Sequence, residues 1–515
     1  MFTILGLILT CLLIYVMTFS VYSKIRLTDY FRETALIFSI TLAIITLFAL
    51  GLLSIILPVL AVRMLIAIIL MYFLYLLFQP DNLLKFNEVC KQDIFAFLTW
   101  ILLAILATVF SSFQVQNPGS LPDGAYVFKD WNKPVQMQWI SGGLPMDNAL
   151  PYYTGEFLIR HQDVKEDHPI MPGQEIILRT YGLPFSYLAI RSLVFNDRET
   201  LEIPRFNYVD IVWPDVRVLY DENRYSLFNG VSFFLIAFFG FSIVYAARRF
   251  LTNVNLKLVS LLFATSPFLL QQTYFTWSKN LAAAFAILLF VYRKDLHLIL
   301  TGSLIFTGYF FHPMFIIYVI GIFIVGILIE KVFYWRYIFQ YVCADIAWRI
   351  YSSTTGLKND LIQQNFQLNS DIINQIAARM VSLANYFSFD FLRAFPFNLT
   401  YFTRGGTGAA FSLIIFSFIP TIIMLVNPDR KSRSIGQENY RFFLYGIVCL
   451  LISAGIYSTP APLIMFGGQI LFISVGIILT HLTVNRYLAV IPILSNIGLL
   501  VAWIRIMNIT NIHLG

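Results

Sequence analysis

The sequence predicts an all-α polytopic membrane protein, and three observations lead there. Mean hydropathy is +0.74, with 58% hydrophobic and only 12% charged residues, which lies outside the range of soluble globular chains. Apolar runs of membrane length then follow one another along the chain, and lipid offers such runs no alternative to the helix, because it cannot satisfy backbone polar groups. Finally, the basic residues fall almost wholly in alternate gaps between the runs, as the positive-inside rule requires of a multi-spanning chain.

The candidate spans are 2–20, 34–54, 57–78, 93–113, 226–247, 257–272, 280–293, 297–311, 314–330, 336–351, 409–426, 441–457, 461–482 and 486–506. The first has no basic residue before it and no small-x-small cleavage site after it, while Lys24 and Arg26 follow. It reads as a retained span with its N-terminus outside. If odd-numbered spans run inward, the inner gaps hold 17 basic residues and the short outer gaps hold Lys279 alone. That alternation puts both long polar gaps, 114–225 and 352–408, on one non-cytoplasmic side. The window Phe113 to Tyr225 carries 15 of the 28 acidic residues against 10 of the 35 basic ones. The pI near 9.0 comes mainly from the inner gaps, so nucleic acid is not an expected partner.

Cys11, Cys343 and Cys449 lie in apolar runs and Cys90 in an inner gap, so the sequence holds no disulfide framework and no CxxC metal spacing. Four regions follow from the pattern. Residues 1–92 read as an N-terminal three-span bundle, and 93–351 as a core with the extracytoplasmic loop 114–225. Residues 352–408 form a second extracytoplasmic loop, and 409–515 a C-terminal four-span bundle. Within the first loop Pro118-Gly119, Pro122-Asp123-Gly124, Gly142-Gly143 and Pro172-Gly173 mark turns. Val135–Ile140 and Gly173–Phe195 are the candidate helices between them. The latter is apolar enough to lie along the membrane surface, or equally to pack on other outer segments.

Several residues carry candidate chemistry. Asp123 lies about ten residues beyond the fourth span, where a carboxylate meets the head group of a lipid-linked substrate. Transfer of a sugar to a hydroxyl needs a general base, a task for Asp or Glu. Asp123 between Pro and Gly also reads as a plain turn residue. Asp130 and Asp147 are the other loop candidates. Lys279, in the outer turn Thr276-Trp277-Ser278-Lys279-Asn280, breaks the local charge bias. A compact ammonium there suits a phosphate, and an interfacial Trp with a snorkelling Lys is the competing reading. His312-Pro313 sits at the outer junction of two spans as a ligand, a proton carrier or a hydrogen-bonded turn residue. Arg404-Gly405-Gly406-Thr407-Gly408 is either a phosphate cradle or a flexible linker.

Four of these stretches resemble the GT-C superfamily of polyprenyl-phosphate-sugar-dependent membrane glycosyltransferases. They are Asp123-Gly124-Ala125-Tyr126, His168 to Gly173, Trp277-Ser278-Lys279-Asn280-Leu281-Ala282-Ala283-Ala284-Phe285, and Gly302 through His312-Pro313. They are similar to the Asp-x-x-Tyr loop, the R-P-P-L-like stretch, the W-P-K-L-L-A-A-A-F turn and the G-L-(x)n-L-x-H segment of a bacterial multi-spanning branch. The likeness covers about residues 93–351. Ser278 stands where the branch has Pro, and His168-Pro169-Ile170 where it has Arg-Pro-Pro.

The resemblance implies a GT-C-like bundle of about 12–14 transmembrane helices in the bacterial inner membrane, with a large first extracytoplasmic loop. It implies transfer of a sugar from a polyprenyl-phosphate carrier to a lipid, glycan or protein acceptor of the cell envelope. Asp123 would be the base, with Asp130 the alternative. Lys279, Trp277, His312, Arg404, Asp147 and Tyr126 would bind substrate. No metal-ligand spacing is evident, and a divalent ion (Mg or Mn) is compatible with the loop carboxylates. Two other classes remain open: a lipid-linked saccharide transporter or polymerase, and a non-catalytic envelope assembly subunit. Arg63, Asp345 and Arg349 are the main charges inside apolar runs, few for a transport path.

Overall fold

The computed structural model describes residues 1–24, 32–112, 146–161, 167–168, 171–175, 181–196, 222–250, 255–266, 269–270, 273, 276, 278–294, 297–355, 433–456, 493–494, 496–498 and 500. Helices dominate these residues. Four open the chain: α1 (Phe2–Lys24), α2 (Arg32–Ile56), α3 (Val59–Leu77) and α4 (Pro80–Ser112). Pro58 and Pro80 mark where α3 and α4 begin, since proline lacks the donor that a helix interior needs but fits its start. The loop region contributes α5 (Met146–Ile159), the strands β1 (Asp167–His168) and β2 (Met171–Glu175), and α6 (Gly182–Val194). There follow α7 (Glu222–Phe250), α8 (Leu256–Ala264), α9 (Ser278–Val291), α10 (Leu298–Phe311), α11 (Ile316–Val325), α12 (Trp335–Thr355) and α13 (Arg433–Ile456). A 3-10 turn, Pro313–Phe315, precedes α11, and a π turn, Gly326–Glu330, follows it.

Among the described residues five helical stretches are long and apolar enough to cross a membrane: Phe2–Lys24, Thr34–Ile56, Val59–Leu77, Asn223–Phe250 and Pro313–Glu330. Three shorter apolar stretches, Asp93–Val109, Ser278–Val291 and Leu298–Phe311, match further expected spans. Of the remaining expected spans, 336–351 falls within α12 (Trp335–Thr355), which is not among the stretches long and apolar enough to cross, and the others lie wholly or partly outside the described residues. α7 is the axis, with its apolar window completely buried. Trp100 of α4 donates from Nε1 to Phe234 O at 2.6 Å, and Phe238 packs on Phe285 of α9. α1 crosses α7 at glycine. A Cβ on Gly230 would stand 2.0 Å from Thr3 O, so only a residue without a side chain lets the two backbones approach this closely.

Helix directions sort the connections into two ends. At the first, Phe2 stacks on Phe195, Gly51 lies against the Phe185 backbone, Arg63 Nε donates to Ser192 O, and Trp348 meets Tyr181 edge-on. At the other, Lys24 reaches Gln79, Arg248 pairs with Asp93, and Arg293 pairs with Glu330 and Glu438. The first is the loop end and the second the basic end, the same division that charge alternation predicts.

The described residues are helical, as expected, apart from one short antiparallel ladder of β1 with β2, in which Asp167 pairs with Glu175 and His168 with Met171. Pro169-Ile170 links the two strands, and Gly173 and Glu175 are in β2, so the expected helix 173–195 shrinks to Gly182–Val194. That helix does not lie on the membrane surface either: Gly182 through Ser192 are all buried. A boundary at residue 92 falls inside α4, and α1 lies along α7, so packing crosses it. The expected helix at Val135–Ile140 lies outside the described residues.

Candidate functional site

The loop end is held together by one carboxylate. Glu156, in the third turn of α5, is fully buried beside Tyr187 and Arg191 of α6. Its Oε1 accepts from Arg191 Nε at 2.6 Å and from Tyr187 OH at 2.6 Å. Its Oε2 accepts from Arg160 Nε at 3.0 Å, Arg160 Nη2 at 2.9 Å and Arg191 Nη2 at 3.1 Å. Arg160, in the turn just past α5, is the i+4 neighbour of Glu156, a spacing that brings the two side chains together. Arg191 reaches it from α6 with a two-pronged grip of the kind that guanidinium geometry favours. Burial, followed by the adjacent Glu156 charge, pushes the Tyr187 phenol well above its usual 10, so it stays a proton donor to the carboxylate.

α6 is as deeply set as a core helix. A Cβ on Gly51 would come 1.8 Å from Phe185 O, and one on Gly182 would come 2.7 Å from Phe310 O. α6 is therefore wedged between α2 and α10. Its C-terminal carbonyl at Ser192 is closed by Arg63, which answers the negative end of the helix dipole. This also explains a charge that the sequence leaves inside the third span.

Asp345 and Arg349, the other two charges within runs, form an i,i+4 ion pair at 2.6 Å, and Tyr309 OH donates to Asp345 at 2.8 Å. They lie on α12 beside Trp348, whose ring contacts both Tyr181 and Phe310. Each charge thus has a polar partner, as a charge within an apolar run requires.

The remaining candidates divide as follows. His312 is buried at the loop end of α10, and its Nδ1 accepts from Met314 N at 3.2 Å, so it caps the 3-10 turn. Tyr341 OH donates to Pro313 O next to it. Lys279 is half-buried in the first turn of α9, again at the loop end. Thr276, three residues earlier, is in the left-handed region at φ 53°, which a β-branched residue rarely occupies. Its Oγ1 is buried with no hydrogen-bond partner among the described residues. Asp147 lies in the first turn of α5. Asp123, Tyr126, Asp130, Trp277 and Arg404 lie outside the described residues. The structure thus brings Lys279, His312 and Asp147 to one end of the bundle.

Sequence reasoning passed over Glu156, Arg160, Tyr187 and Arg191. The available signal was Arg191 in the otherwise apolar run GLPFSYLAIRSLV, since a guanidinium on a buried helix calls for a carboxylate elsewhere. Among the described residues no group of three or more His, Cys, Asp or Glu side chains is placed to hold a metal ion. The long apolar helices and the separation of a basic end from a loop end give the chain the make-up of a polytopic, membrane-embedded helical protein. No family model, no curated protein and no solved structure matches it.

Proposed function

We propose that this chain is a membrane glycosyltransferase of the GT-C type. It would move a sugar from a polyprenyl-phosphate-linked donor to a cell-envelope acceptor at the loop end, on the extracytoplasmic face of a bacterial inner membrane. The observation that carries the reading is the turn before α9. There Thr276, with left-handed backbone and a buried hydroxyl unpartnered among the described residues, stands three residues before Lys279 in the first turn of α9. Strained backbone concentrates at binding and catalytic sites. A Lys in a first helical turn also opposes the helix dipole, at about 0.3–1 kcal/mol, which a phosphate beside it would reverse.

Asp123, Tyr126 and Asp130 fall in the sequence between Ser112, the last residue of α4, and Met146, the first of α5. In the proposed reaction Asp123, with Asp130 as the alternative, takes the proton of the acceptor hydroxyl. The acceptor oxygen then bonds to the anomeric carbon. The bond from that carbon to the phosphate oxygen breaks, and the leaving polyprenyl phosphate keeps the electron pair. Lys279 and Arg404 hold its charge, while Trp277, Tyr126, Asp147 and His312 line the substrates. A divalent ion (Mg or Mn) bound by loop carboxylates would add to the phosphate charge balance.

Asp123→Asn keeps the side chain's shape and removes the base. General base catalysis contributes about 10²- to 10⁴-fold, so transfer in purified membranes should fall by that factor with expression unchanged. Residual activity above about a tenth, in this variant and in Asp130→Asn alike, refutes the reading and favours a non-catalytic role.

A further inference from the structure

The basic end carries a second charged assembly that the proposed transfer does not use. Arg293, just beyond α9, is buried and donates through Nε to Glu330 at 3.1 Å and through Nη2 to Glu330 and to Glu438, the latter at 2.8 Å. Lys294 reaches Glu438 at 3.1 Å and Glu330 at 3.4 Å, and Arg441 pairs with both carboxylates. The two acids are thus already shared among three cations.

Two more cations stand beside this network without a carboxylate partner among the described residues. Lys331, in the left-handed region at φ 57°, is exposed and reaches only the Leu328 carbonyl. Arg336, half-buried, donates from Nη2 to Arg293 O and to Tyr337 OH and stacks on the Tyr337 ring. The described parts of the connecting stretches here, 292–294, 330–336 and 433–441, hold six basic residues against two acidic ones, a positive excess.

Apolar side chains surround these cations. Phe333, Trp335 and Phe339 are 62%, 58% and 59% exposed. Leu298, equally open, lies alongside, because Gln340 Nε2 donates to its carbonyl at 2.8 Å. An exposed Trp–Phe cluster directly flanking unpaired Lys and Arg side chains, where a span emerges, matches the two parts of a phospholipid. Acyl chains pack on the rings and an anionic head group meets the cations.

We propose that Lys331 and Arg336, with Lys294 at the edge, form a binding site for the phosphate of an anionic phospholipid in the leaflet at the basic end. The lipid lies against Phe333, Trp335 and Phe339. It would complete the charge balance of the Glu330–Glu438 network and fasten α9, α11, α12 and α13 to one another. The site is at the opposite end from Lys279, so it does not depend on the transferase reading.

The test uses the full chain in zwitterionic nanodiscs, with native mass spectrometry counting bound short-chain phosphatidylglycerol or phosphatidylcholine, and inorganic phosphate as competitor. Saturable binding of phosphatidylglycerol over phosphatidylcholine is expected. Each surface cation near a membrane contributes about fivefold in affinity, so Lys331→Gln/Arg336→Gln should weaken it about 30-fold. The charge-preserving variant Lys331→Arg/Arg336→Lys should retain most of it, and its retention guards against loss through misfolding. Equal binding of the two lipids, or unchanged affinity in the folded Gln variant, overturns the proposal. So does displacement by inorganic phosphate at the lipid's own concentration, which would make this a site for a soluble anion.

Discussion

Removing the Glu156 carboxylate should detach the loop helices from the bundle. Glu156→Gln preserves volume and one acceptor but deletes the charge that Arg160 and Arg191 share through four hydrogen bonds, with Tyr187 making a fifth. All of these groups are buried. Breaking one side of a buried pair costs about 3–5 kcal/mol, because the remaining charge stays desolvated. Arg191→Met should cost a similar amount. The double variant removes both charges of the pair and should cost distinctly less than the two singles together. The difference is the coupling energy, expected at the upper end of the 0.5–3 kcal/mol that contacting residues show, about 2–3 kcal/mol.

Reversible unfolding in mixed micelles, followed by hydrogen exchange, reads both the energy and its location. Loss of protection should begin in α5 and α6 while α7 amides remain protected, since α7 has its own contacts with α1, α4 and α9. Single-variant losses below about 1 kcal/mol that add within about 0.5 kcal/mol would refute the reasoning. They would mean that water or other groups already satisfy the two guanidiniums.

Three further outcomes are expected. Cys substituted at Ser141 should react with an impermeant thiol reagent in spheroplasts while Cys at Ser432 should not, and the reverse pattern would exchange the two sides of the membrane. Lys279→Met should lower affinity for a short-chain polyprenyl phosphate by about 10- to 150-fold, the range of a charge-assisted hydrogen bond at 1.5–3 kcal/mol, and unchanged titration would remove Lys279 from the site. At the basic end, burial alone would raise the Glu438 carboxyl, but Arg293 and Lys294 outweigh it and hold it down to about 2. Its stabilising contribution is therefore complete above the ordinary value of 4.5 and is lost as pH falls toward 2. The unfolding midpoint should drop across that window in the wild type and less in Glu438→Gln, whereas parallel curves would contradict the assignment.

The parts of the fold that were legible in the sequence are those set by local composition. Hydropathy located α1, α2, α3 and α7 closely, because a span is specified by its own run of residues and by the charges that flank it. Pairings between distant residues left no such mark. Glu156 and Arg191 are 35 residues apart, and although Arg191 stands out in its apolar run, nothing in the sequence says which carboxylate answers it. The run after Gly173 left two readings open for a related reason. Its apolar character suits a membrane surface and a protein interior equally, and only Gly51, closing on the Phe185 backbone from α2, decides for the interior.

Charges within apolar runs prove to be the better guide to this architecture than the loop carboxylates. Arg63 closes the end of α6, Arg191 holds Glu156, and Asp345 with Arg349 binds Tyr309 beside the α6 contact of Trp348. Each is expensive in isolation, and each is paired with a group from another helix or from its own next turn. Their common position at the loop end shows what the expense accomplishes. It fixes α5 and α6 among the ends of the spans.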